Sequence, residues 1–147
     1  MRVPALLLDA MSNEAWPKGR VAGSLLAHVH PLFRELDFEL LQDEKQLERN
    51  GIADTNTLVK FASNPQIREK FGLEIDVTNS VLPKLDVNQA LVFGGGADFG
   101  DDFWLTLDLR TEFDNPRVVG NHLHYKSCEW FEVSPTFSQF CALLEIT

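Results

Sequence analysis

Apolar residues recur at helical spacing in the first half of the chain and at strand spacing in the second. Across residues 23–33, Leu25, Leu26, Val29, Leu32 and Phe33 mark one helical face, with Pro31 placed to end or kink the helix. Residues 36–41 mix apolar and acidic positions and fit either a strand or a helix start. Residues 42–49 are polar, and Asn50-Gly51 closes them as a helix C-terminal signal. Thr55 or Asn56 then caps a short helix reaching Phe61 and Ala62. Asn64-Pro65 opens another that stops at Gly72, with proline in the first helical position, where its missing N–H costs nothing.

After Pro83 the period switches to two. Ala90-Leu91-Val92-Phe93 reads as a buried strand running into a glycine loop at Gly94-Gly95-Gly96. Over residues 103–110, Phe103, Leu105, Leu107 and Leu109 take one face, and Trp104, Thr106, Asp108 and Arg110 take the other. Asn115-Pro116 marks a turn, residues 117–125 form the next strand, and residues 128–133 another. A three- or four-stranded antiparallel meander is the economical topology. Ser134-Pro135 then reads as an N-cap and first helical residue for a closing helix carrying Phe137, Phe140, Cys141 and Leu144. The expected fold is α+β in a single domain over residues 1–147: a helical N-terminal half, an antiparallel or mixed sheet in the C-terminal half, and a closing helix.

Composition narrows the partners. The 22 acidic and 13 basic residues leave a formal charge of −9, which repels phosphate backbones and anionic membrane surfaces, so neither nucleic acid nor membrane is an expected partner. Two cysteines, Cys128 and Cys141, make no disulfide framework, and a reducing cytoplasm is the simplest reading. The run Leu6-Leu7-Leu8, broken by Asp9, is too short for a signal segment or a membrane span. Because Met11 offers a second start, residues 1–10 stay open between a part of the fold and an N-terminal extension, disordered or outside the true chain.

Candidate chemistry is sparse. The glycine run lacks the lysine of a phosphate loop and does not match G-x-G-x-x-G, so a turn or a close backbone approach explains it better. Counted from Asp98, the calcium-loop pattern fails at position 12, which is Leu109. Residues 94–115 nevertheless hold six acids (Asp98, Asp101, Asp102, Asp108, Glu112 and Asp114) against one base, Arg110. Such a run is either an ordinary solvated loop or an acidic face that steers a basic partner; Trp104 and Trp130 read first as packing residues, and either becomes an aromatic anchor only if exposed. His122, His124 and Cys128 supply three zinc-capable side chains without a recognised spacing. Cys141 falls on the apolar face of the last helix and reads as core. No cofactor motif and no catalytic pair stand out.

Three runs, ALVFGGGADFGDDFWLTLDLR, NPRVVGNHLHY and CEWFEVSPTFSQFCALL, together resemble the C-terminal half of the SUKH superfamily in its Smi/Knr branch. The resemblance spans residues 90–144 and rests on Gly94–Gly96, Asp102, Trp104, Leu107, Asp108, residues 116–119, Phe137 and Phe140. The family's N-terminal signature, an L-P-x-x-Y/F-x-x-F-L helix followed by N-G-G, is not clearly present. What the resemblance implies is a non-catalytic binding domain, in bacteria most often an immunity protein that binds and neutralises a polymorphic toxin, frequently a nuclease. Partner contact would then fall on Asp98, Asp101, Asp102, Trp104, Asp108, Glu112 and Asp114. The alternatives are a small metal-binding protein or enzyme built on His122, His124 and Cys128, and a regulatory scaffold without a toxin partner.

Overall fold

In the computed structural model, residues 3–77, 82–97, 100–110, 112–122 and 129–146 are described, residues 100–102 as backbone alone. The period-two half folds as expected into a meander: β5 (Ala90–Gly96), β6 (Gly100–Asp108), β7 (Arg117–His122) and β8 (Phe131–Ser134), each antiparallel to the next. Two strands from the first half extend it. β1 (Arg20–Val21) pairs with β2 (Phe38–Leu40), and β2 pairs with β5, so the described sheet has six antiparallel strands in the order β1-β2-β5-β6-β7-β8. The ambiguous 36–41 segment thus holds a strand, at Phe38–Leu40.

Between β2 and β5 the chain crosses one face of the sheet. It does so as α2 (Glu44–Gln46), a π-turn over Leu47–Gly51, α3 (Ile52–Ala62) and α4 (Pro65–Lys70). A small parallel pair, β3 (Leu73–Glu74) with β4 (Leu85–Asp86), follows. Leu58 and Ala62 pack there with Val92, Trp104, Val119 and Trp130. The opposite face carries α1 (Ala5–Met11) and α5 (Phe137–Leu143), together with two short 3-10 segments, Gly23–Leu26 and Pro31–Arg34. Leu7, Leu26, Phe33, Phe137 and Phe140 meet Phe93, Phe103, Leu105 and Leu107 in that second core.

Several sequence expectations are corrected. Residues 23–33 are not one helix, because Pro31 pushes His30 into an extended conformation (φ −155°, ψ 140°) and leaves two 3-10 pieces. Residues 5–11 form α1 with Leu7 wholly buried, so that stretch packs into the fold and is not disordered. Thr136, not Ser134, caps α5: its side chain accepts from Gln139 N, while the Ser134 hydroxyl donates to the Thr136 carbonyl from the end of β8.

Asn50-Gly51 does not stop the helix. Gly51 has helical dihedrals, and a Cβ on it would stand 2.5 Å from the Val92 carbonyl, so the glycine is there to let helix and strand touch. The glycines at 94–96 are likewise strand and not loop. A Cβ on Gly94 would lie 2.8 Å from the Glu39 carbonyl across the β2–β5 pair, which favours the close-approach explanation of the glycine run. Thr55 is interior to α3 instead of capping it. Its hydroxyl donates to the Gly51 carbonyl (2.7 Å) and accepts from Val92 N (3.0 Å), beside the bulge that makes Phe93 an extra residue in β5.

Thr55→Val keeps the shape of this contact and orphans the buried Val92 N–H, so it should cost about 1–3 kcal/mol. Thr57→Val, on the exposed side of the same helix, should stay within about 0.5 kcal/mol. Urea denaturation of both variants checks this, and equal losses would show that Thr55 carries no special bond.

Candidate functional site

The contiguous acidic run of the sequence does not make one surface. Gly96 pairs with Gly100, so Asp101 and Asp102 begin β6 at the glycine end of the sheet. Glu112 and Asp114 are exposed beyond the other end of the strand. At about 3.3 Å per residue, the six steps from Asp102 to Asp108 separate the two ends by roughly 20 Å. Asp98 lies outside the described residues.

Trp104 and Asp108 leave the candidate surface altogether. Trp104 is 4% exposed and packs beside Phe61 of α3 (ring centroids 6.5 Å apart), so it is core and not an interface anchor. Asp108 is fully buried on the same face. Arg110 grips it twice, Nε to Oδ1 at 2.8 Å and Nη2 to Oδ2 at 2.7 Å, and Arg117, opposite it on β7, also donates to Oδ2. Arg110 Nη2 reaches the Lys84 carbonyl as well (3.0 Å), and Arg117 lies 3.9 Å from Glu132 on β8. Burial pushes the Asp108 carboxyl up, but the hydrogen bonds and charges of the two arginines outweigh it and hold the group below its ordinary value.

Of the metal-capable side chains, His122 ends β7 opposite Phe103, while His124 and Cys128 lie outside the described residues. His30 is occupied elsewhere: Nδ1 accepts from Leu32 N at 3.1 Å, and its ring stacks on Phe131 with centroids 4.0 Å apart. Among the described residues, no group of three or more His, Cys, Asp or Glu is placed to hold a metal ion. Cys141 packs against the core as expected, and burial raises its thiol to about 11. At neutral pH it is a poor nucleophile.

A different constellation forms at the glycine end. A cleft of about 410 Å³ opens between β2, the π-turn and α3, floored by β5. Glu39 and Asp54 line two walls, Gln46 and Asn50 line the same space, and Leu41 and Val92 are its apolar neighbours, while the Leu40 side chain belongs to the opposite core. Gly95, paired with Trp104 on the α3 side of the sheet, gives the floor no side chain, whereas a Cβ on Gly94 or Gly96 would meet Leu40, Leu36 and Phe103 on the opposite face. The π-turn swells the helix at this rim, a distortion that recurs at functional sites. Just outside, Asp37 accepts from Gly23 N (3.0 Å) and pairs with Arg20 (3.3 Å), and these contacts lower its pKa. Sequence reasoning missed Glu39 and Asp54, which sit in segments read as structural. The available signal was the pairing of Asn50-Gly51 with a glycine-rich strand.

The cleft can accept hydrogen bonds from a cationic side chain and cover its aliphatic stem. No family model, no curated protein and no solved structure matches the chain.

Two outcomes are expected here. Asp108→Asn leaves two buried guanidinium groups around a neutral amide and should cost about 3–5 kcal/mol in chemical denaturation. Because the folded carboxyl titrates below the unfolded value of 3.8, its stabilisation is complete above that pH and lost as pH falls through the folded value. The wild type should therefore lose more stability than Asp108→Asn on acidification below pH 3.8, and parallel curves would remove the arginine pairing as the cause. With Cys128 replaced by Ser, alkylation of Cys141 at pH 8 should run about 100-fold slower in the native protein than in urea, matching a rise from 9.0 to about 11. Equal rates would mean that the thiol is not shielded.

Proposed function

We propose that the chain is a non-catalytic protein-binding domain, of the immunity type implied by its resemblance to the SUKH superfamily, that binds and neutralises a basic toxin domain in the cytoplasm. The observation that carries this reading is the cleft at Gly94–Gly96, with carboxylates on two walls and an apolar lining between them. That chemistry suits an arginine or lysine presented by a protein. Arginine fits best, since its planar fork of donors meets acceptors arriving from several directions. The charge of −9 adds a steering field that raises the association rate with a basic partner. Among the described residues, no helix is long and apolar enough to cross a membrane, so the reading invokes no helical anchor.

The purified protein, used as bait in lysate of the source cells at low salt and again at about 0.5 M, where the screening length is about 5 Å, tests the proposal. A stoichiometric basic protein should be captured, weakened by salt, and should lose its toxicity when bound. Glu39→Gln with Asp54→Asn should weaken binding of that purified partner tenfold or more, about 1.4 kcal/mol, while Glu112→Gln with Asp114→Asn should leave it unchanged. A partner sensitive only to the second pair would move the site to the far end of β6. Absence of any stoichiometric partner, or capture indifferent to salt and to both pairs, would overturn the proposal.

A further inference from the structure

We draw no further inference here: the strongest candidate outside the cleft, the groove between α1 and α5 lined by Leu6, Ala10, Phe137 and Cys141, is an unpartnered apolar face, and nothing in the structure shows what covers it.

Discussion

A strand at the middle of a sheet that is covered on both sides has no solvent face, so a charge it carries must find partners inside the protein. β6 is in that position. Its odd-numbered residues from Phe103 to Leu107 enter the core under α1 and α5, and Trp104, Thr106 and Asp108 enter the layer under α3 and β4. An ionised carboxylate survives there because two guanidinium groups reach it, one from the strand's own continuation and one from the paired strand. Arg110 and Arg117 are themselves 3% and 14% exposed, so the arrangement works as a unit: removing any one charge strands the others. Through Lys84 and Glu132 the same network fastens the approach to β4 and the outer strand β8.

The helical layer on that face has its own requirement, which is contact at backbone distance. At Gly51 the helix backbone meets the β5 carbonyl of Val92, and one turn on, Thr55 takes the Val92 N–H. The helix therefore bonds the N–H of one strand residue and packs its backbone against the carbonyl of the same residue. The π-turn that ends at Gly51 keeps the helical run continuous there and, through Asn50, forms part of the cleft rim. Fold and cleft thus share a cause.

The meander was legible because alternation along one strand is a local property, and residues 103–108 display it without interruption. What alternation does not encode is which face meets water. Thr106 and Asp108 look like an outward face, and they are buried with Trp104, whose packing role is the expected one, because α3, nearly fifty residues earlier, lies across that side. Local signals also misled where packing overrode them. Asn50-Gly51 carries the composition of a helix end, yet the missing Cβ serves a tertiary contact while the dihedrals stay helical. Residues 23–33 have helical spacing, but Pro31 dictates the backbone before it. The cleft was the least legible part. Its walls come from positions 39–54 and its floor from positions 94–96, and only the β2–β5 register brings them together.

That register also changes what the acidic composition means. A run of carboxylates along the chain acts as one electrostatic feature only if its members lie within about a Debye length, roughly 8 Å at physiological ionic strength. β6 instead carries the run from one end of the sheet to the other. Asp108, in its middle, is neutralised by buried arginines and contributes little field outside. Glu112 and Asp114 act at the far end, while Glu39 and Asp54, remote in sequence, join the start of β6 at the near end. On the proposed reading, a basic partner would therefore meet local charge at one end or the other. The net charge of −9 would then govern how fast such a partner arrives, and the placement of a few carboxylates where it stays.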